Sequence, residues 1–356
     1  MRFFRLTSLV SALSLTAVVA SAQSNRVACT KAVDACKRWV TFGNGPARSL
    51  VYGSYPLDVA NPAITRALVM IHGAGRNADH YFETSTGAAF FAGALENTIV
   101  LAPRYAAARD TVAANELLWP EGGNSWRGGG MSPTVNTISA FDLVDAIVKK
   151  LADKKLFPNL TKIVIAGHSA GGQFATRYEM ANKVHNTPGV AITYVVANPS
   201  SYAWPAAVRP LPTGNANPAG ADKEALGPNG EKVNSDFSYG VFDPAKAPNF
   251  DKWPAGLEGK AGYVANMSDD QLKKQLVERP TTYLLGQVDV LPLGGFDSSA
   301  TAMAQGPTRR ARGEAFVKYV NGTLGAKHQA IIVPECGHND RCIFTTDVVF
   351  PALFPK

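Results

Sequence analysis

The stretch Gly167-His168-Ser169-Ala170-Gly171, with Gly172 behind it, limits this chain more than any other. Before it runs Lys162-Ile163-Val164-Ile165-Ala166, a short apolar, β-branched run of the kind that forms a buried strand. After it, Gln173 to Met180 contains neither Gly nor Pro and can continue as a helix. A G-x-S-x-G sequence between a strand and a helix holds its serine on a turn too sharp for neighbouring side chains. Gly167 and Gly171 leave that room, and Ala170 keeps the next position small. The same pentapeptide also occurs as a plain glycine-rich turn, so the rest of the chain has to distinguish the two.

The remaining pattern predicts an α/β fold. Ser49–Tyr55 alternates weakly and reads as an early strand. Ala67–Ile71, Asn97–Ala102, Ala191–Val196, Thr281–Leu285 and Ala330–Val333 are short apolar runs without alternation, as expected of parallel strands covered on both faces. Between them, Ile138, Phe141, Val144, Ile147, Val148 and Leu151 recur at helical spacing, and helices are expected over Asp269–Val277 and about Arg309–Val320. The order predicts a doubly wound, mostly parallel sheet with helices on both faces. From Asn198 to about Gly262 Pro, Gly and Asn crowd in and periodicity disappears. A stretch this long without regular structure predicts a cap or lid inserted into one domain of residues 23–356.

The first residues do not belong to that domain. Arg2 and Arg5 precede an apolar segment from Leu6 to Val19, and Ala20-Ser21-Ala22 is an A-x-A cleavage site, which predicts a secretory leader over residues 1–22. The whole chain has a formal charge of +7. Without the two leader arginines the excess is mild, and no run of Lys or Arg marks a nucleic-acid surface. No later stretch is long and apolar enough to cross a bilayer, so integral membrane association is not expected. Export permits disulfides. The spacing of Cys29, Cys36, Cys336 and Cys342 predicts two local bridges, Cys29–Cys36 and Cys336–Cys342. Seven residues of straight helix would span about 10 Å, beyond disulfide reach, so a loop is expected at the first pair.

A serine hydroxyl is a poor nucleophile until a base takes its proton, and the base needs an acid to orient it. After the strand Thr281–Leu285 comes Gly286-Gln287-Val288-Asp289, and after the last strand comes Glu335-Cys336-Gly337-His338. The order Ser169, Asp289, His338, with both partners at strand ends, suits such a relay. Asp297 lies far down its loop, Asp340 sits too near His338, and Asp142 and Asp145 precede the serine. His80, His185 and His328 lack a strand-end position. His168 should point away from the nucleophile, and His72 should brace the loop His72-Gly73-Ala74-Gly75. That loop and the residue after the serine supply the expected oxyanion donors, the Ala74 and Ala170 N–H groups, with Gly75 or Arg76 as substitutes for Ala74. Cys336, His338 and Cys342 offer only three metal ligands against the four of a structural zinc. Neither metal nor cofactor is therefore expected. Trp119, Trp126, Trp204 and Trp253 fall in the irregular regions, where they either line a substrate pocket or pin loops to the core.

At His72–Gly75, Gly167–Gly172, Gly286–Asp289 and Gly337-His338 the chain resembles the α/β-hydrolases, and these matches span most of it. Asn198–Tyr202 and Tyr263-Val264 are similar to a group of secreted hydrolases. The resemblance implies serine ester hydrolysis without a cofactor, on a small or polymeric ester such as a polyester or plant aromatic ester. It departs from the lipase pattern in having Ala74 where a third glycine is usual. Rival expectations are a peptidase, amidase or acyltransferase on the same machinery, or an inactive fold used for binding.

Overall fold

The computed structural model describes residues 27–122, 125–212 and 237–356; the expected leader and its cleavage site lie outside them. Ten strands are present among these residues. In chain order they are β1 (Lys37–Thr41), β2 (Arg48–Gly53), β3 (Arg66–Ile71), β4 (Thr98–Pro103), β5 (Lys162–His168), β6 (Ala191–Ala197), β7 (Val208–Pro212), β8 (Phe237–Val241), β9 (Thr281–Gly286) and β10 (Gln329–Val333). The main helices are α1 (Ala78–Phe91), α2 (Ala140–Leu151), α3 (Ala170–Ala181), α4 (Asp269–Glu278), α5 (Arg309–Leu324) and α6 (Asp340–Thr345).

Eight strands form one sheet in the order β1-β2-β4-β3-β5-β6-β9-β10. Pairing is antiparallel from β1 through β2 to β4 and parallel from β4 to β10. Successive side chains of a strand point to opposite faces, and the core divides accordingly. Ala67, Val69, Ile71, Ile99, Leu101, Ile163 and Ile165 pack with α2, α3, α4 and α5 on one face. Leu68, Met70, Val100, Ala102, Val164 and Ala166 pack with α1 and α6 on the other. This is the expected doubly wound architecture.

The parallel register brings the functional candidates to one edge. Ile71 pairs with Gly167, His168 with Ala197, Ala197 with Leu284, and Gly286 with Val333. The residues that follow β3, β5, β9 and β10 therefore emerge together at the carboxyl ends of the strands, where ligands bind in open α/β sheets. Between β5 and α3, Ser169 has φ +58° and ψ −118°. A Cβ on Gly167 would lie 2.1 Å from the Gly171 carbonyl oxygen, and one on Gly171 would lie 2.1 Å from the Ile71 carbonyl oxygen.

The irregular region from 198 to 262 contains more order than its composition suggests. β7 and β8 pair as an antiparallel ribbon; residues 213–236 between them lie outside the described part. Pro210 and Pro212 argue against a strand in sequence, but each strand of a two-stranded ribbon has an edge that needs no donors. Helix α1 also left little trace in the pattern. Its buried face mixes Ala78, Tyr81, Phe82, Ala88 and Ala89 with Thr84, Ser85 and Thr86, so the apolar contrast is slight. The four tryptophans of the irregular regions pin loops: Trp119, Trp126 and Trp204 are almost wholly buried, and Trp253 donates from Nε1 to the Gly128 carbonyl (2.8 Å). Asp145 accepts hydrogen bonds from Tyr178 (2.6 Å) and Tyr263 (2.8 Å), tying α2 to α3 and to the turn that closes the insertion.

The elbow generates a test. Gly171→Ala forces a methyl group into a backbone carbonyl and should cost about 3 kcal/mol or more. Thermal unfolding should show a large drop or no soluble protein; a melting temperature within 2–3 °C (about 1 kcal/mol in a chain this long) of the parent would contradict it.

Candidate active site

The structure brings Ser169, Asp289 and His338 together. His338 Nε2 lies 2.9 Å from Ser169 Oγ, and its Nδ1 lies 2.8 Å from Asp289 Oδ2. Asp289 is buried, and the His338 side chain is 9% exposed. The imidazole therefore bridges a sealed carboxylate and a hydroxyl that solvent reaches. The other acids are engaged elsewhere. Asp297 accepts from the Ser299 N–H, Asp340 pairs with His80 and Thr84 beside α1, and Asp142 caps α2.

His72, His80, His168 and His185 each have a hydrogen-bond partner, whereas both ring nitrogens of His328 are buried without one. His168 Nδ1 meets the Tyr81 hydroxyl at 2.9 Å. Its ring also lies under that of His338, with centroids 4.6 Å apart, a contact the sequence did not suggest. Burial first, and then the neighbouring His338, hold His168 well below the usual histidine range, so it is a neutral floor. His72 accepts the Tyr105 N–H at Nε2 (3.0 Å), which leaves Nδ1–H to donate to the Gly73 carbonyl (2.8 Å). Complete burial lowers its pKa to about 4. His185 bonds Tyr194, and His328 lies 3.7 Å from Glu179.

The loop braced by His72 turns tightly, with the Arg76 N–H donating to the Gly73 carbonyl (3.1 Å). That bond removes Arg76 from the candidate oxyanion donors. The Ala74, Gly75 and Ala170 N–H groups donate to nothing among the described residues. Arg76 itself has φ +55°. Its guanidinium grips Asp110 (2.6 and 2.9 Å) and Glu121 (2.7 Å), and it holds the Asp110 carboxyl at about 2.

Four residues that fix this geometry had no role assigned to them from the sequence. Arg309, at the start of α5, is buried and reaches Asp289 Oδ1 at 3.4 Å; it also donates to the Leu293 (2.8 Å) and Gly294 (2.9 Å) carbonyls. Arg310 donates to the Gln287 carbonyl and Arg312 to those of Ser200 and Asp297. The available signal was three arginines in the first turn of a helix, where the helix dipole disfavours cations. Asn198 has φ +41°; its Oδ1 accepts the Gly286 N–H (2.8 Å) and its Nδ2 donates to the Gly337 carbonyl (3.2 Å). One side chain thus joins the strand before Asp289 to the loop that carries His338.

Both expected disulfides are present. Cys29 and Cys36 have Cα atoms 5.8 Å apart, with a short 3-10 turn at Asp34–Cys36. Cys336–Cys342 closes the loop that carries His338, with Cα atoms 5.6 Å apart. Among the described residues, no three His, Cys, Asp or Glu side chains gather as a metal site, and no helix is long and apolar enough to cross a membrane.

A doubly wound sheet whose central strand delivers a serine on a strained turn, facing a histidine from the last strand, defines the class of fold. The chain belongs to the alpha/beta hydrolase family, whose sequence profile matches residues 68–350. No curated protein matches it in sequence. Among solved structures it is similar to poly(aspartic acid) hydrolase-1 from Sphingomonas sp. KT-1, at 23% identity over 86% of this chain and 94% of that one, with TM-score 0.57. It is also similar to LpqC, the poly(3-hydroxybutyrate) depolymerase of Bordetella parapertussis, at 19% identity over 86% and 84%, with TM-score 0.56. At these identities the likeness is one of fold.

The neutral His72 has a measurable consequence. An unfolded chain protonates this histidine near pH 6.5, the folded one only near 4. Between those values the unfolded state binds the extra proton. The His72 contribution is therefore present above pH 6.5 and lost as pH falls, by up to about 1.4 kcal/mol per pH unit. Urea unfolding of His72→Gln, which can keep both hydrogen bonds, should show a shallower acid-side loss than the parent. Identical slopes between pH 4.5 and 6.5 would count against a buried neutral His72.

Proposed function

We propose that this protein is an exported serine hydrolase that cleaves carboxylic esters through an acyl-enzyme. The observation that carries the reading is the pair of short contacts from one imidazole, 2.8 Å to a buried carboxylate and 2.9 Å to the elbow hydroxyl. Ser169 Oγ attacks the ester carbonyl while its proton passes to His338 Nε2. Asp289 holds Nδ1–H and stabilises the imidazolium. The oxyanion is met by the Ala170 and Ala74 N–H groups, each worth a few kcal/mol in the transition state. The C–O bond to the alcohol then breaks, and the leaving oxygen takes the proton from His338. Water repeats the sequence on the acyl-serine and releases the acid. No step calls on a metal or cofactor.

Features around the triad support an ester with an apolar portion. Val288, Leu291 and Leu293 are exposed on the loop that carries Asp289, and Gly294 in the same loop lies against the His338 ring. Two disulfides suit an oxidising compartment. Residues 23–356 are read as one domain, with the 198–262 insertion bordering the site. Limited proteolysis should cut that insertion first, and more slowly with an active-site inhibitor bound.

A fluorophosphonate should label the wild-type protein and not Ser169→Ala, whose ester turnover should fall by several orders of magnitude. Asp289→Asn should cost far more than Asp297→Asn. Near-parental hydrolysis of p-nitrophenyl esters by Ser169→Ala would falsify the proposal, and faster cleavage of p-nitroanilides than of esters would favour an amidase. Removal of the Cys336–Cys342 bridge by serine substitution should lower activity well before it lowers the melting transition. A loop this small contributes about 2 kcal/mol or less, whereas a displacement of His338 by about 1 Å can cost roughly a hundredfold in rate. Equal loss of both, or free thiols at the two positions, would overturn that role.

A further inference from the structure

The loop beside the site holds a cation that forms no ion pair among the described residues. Arg127 lies in a single 3-10 turn, Trp126–Gly128, and is half-buried. Its backbone is fixed. The Trp126 ring stacks on Tyr105 and meets the edge of His72, each at 5.0 Å between centroids. The Arg127 carbonyl accepts from Arg177 Nη1 (3.5 Å), and Gly128 is held by Trp253. Yet the Arg127 guanidinium makes no hydrogen bond or ion pair among the described residues, and its Nε is buried without a partner. The carboxylates whose fields reach it are Asp297 and Glu121. Both are engaged elsewhere, Asp297 by the Ser299 N–H and Glu121 by Arg76 and Arg109.

A second guanidinium stands behind it. Arg177 is 2% exposed and bonds only neutral groups: the Pro254 and Arg127 carbonyls and Ser201 Oγ. Burial, and then the charge of Arg127, lowers its pKa to about 9. Asp297, whose field reaches Arg177 as well as Arg127, is a shared counter-charge that neither guanidinium contacts, and burying a guanidinium such as Arg177 without a direct ionic partner is costly. The place of the two guanidiniums relative to the nucleophile follows from the helix. Ser169, Gln173 and Arg177 stand four residues apart on one face of α3, and Gln173 and Arg177 both donate to Ser201 Oγ. Ser169 to Arg177 is about 12 Å of helix, shortened because side chains lean toward the N-terminus. Arg127 also feels Arg76 of the oxyanion turn on one side and Asp297 of the acid's loop on the other. Trp126, next to it in the chain, packs against His72, and a Cβ on the following residue, Gly73, would lie 3.7 Å from Ser169 Cβ, so Arg127 stands beside the turn after β3, set back from the hydroxyl by the width of those residues.

We propose that Arg127, backed by Arg177, anchors an anion in the substrate cleft, and that the preferred ester carries a carboxylate several bonds from its scissile carbonyl. The guanidinium fork suits a carboxylate, which it binds through two parallel hydrogen bonds. This inference rests on the serine-esterase reading and narrows its substrate class.

The test uses the mature chain and p-nitrophenyl esters of two lengths: the half-esters of adipic and suberic acid against hexanoate and octanoate. The ratio of kcat/KM for charged over neutral ester should exceed one in the parent. It should fall about tenfold or more in Arg127→Gln and recover in part in Arg127→Lys. Added salt should slow the parent on the charged esters only. Free adipate should inhibit hexanoate hydrolysis competitively, a measurement that needs no variant. A ratio unchanged in Arg127→Gln, or below one in the parent at both lengths, would overturn the anchor while leaving the esterase intact. A parent that cleaves none of the four esters and takes no fluorophosphonate would overturn the esterase reading and the anchor with it.

Discussion

The structure depends on a near-collision. The turn after β5 folds so tightly on itself, and so close to β3, that neither Gly167 nor Gly171 has space for a methyl group: Gly167 is blocked by the Gly171 carbonyl oxygen and Gly171 by that of Ile71, backbone rather than movable side chains. Side chains can rotate away from a clash; backbone inside a sheet cannot. The position of Ser169 is therefore fixed by the spacing of two paired strands, which is among the least adjustable distances in a protein. The positive φ of the serine is the strain that this closeness imposes, and the hydrogen-bonded sheet on either side holds it.

Around that fixed point the other groups are placed by arginines and amides rather than by apolar packing. Arg76 shapes the turn after β3, Arg309 and Arg310 hold the loop after β9, and Asn198 joins that strand to the loop after β10. Guanidinium groups suit this work because one planar fork satisfies several loop carbonyls at once, which no apolar side chain can do. Loops that must bend at a strand end leave carbonyls without ladder partners, and burying these loops requires donors.

The sequence revealed what is local and withheld what is not. The elbow, the parallel strands and the two disulfides each have a signature within a few residues, and the structure has all of them at or near their expected positions, with His338 within hydrogen-bond distance of both Ser169 and Asp289. Helix α1 was missed because beyond Tyr81 and Phe82 its buried face is Ala, Ser and Thr, and β7 because its prolines sit on strand edges that need no donors. Arg309 and Asn198 were missed for a different reason. Their roles depend on partners far along the chain, and nothing near Arg309 in sequence says that the carboxylate beside it will be Asp289. A cluster of arginines at a helix start was a visible conflict with the dipole, and the conflict marked the residues that hold the site.

The amide of Asn198 has one more implication. Asp289 and His338 are separated by 49 residues of chain, which include α5 and β10. The distance between these two side chains does not depend on the length of that excursion. It is set across the sheet, by the pairing of β9 with β10 and by one side chain that touches both the end of β9 and the loop after β10. The intervening chain is therefore free to lengthen, shorten or acquire new surface features, so long as its two ends return to the same amide. In descendants of such a chain, novelty would accumulate between the two residues while the gap between them stayed constant.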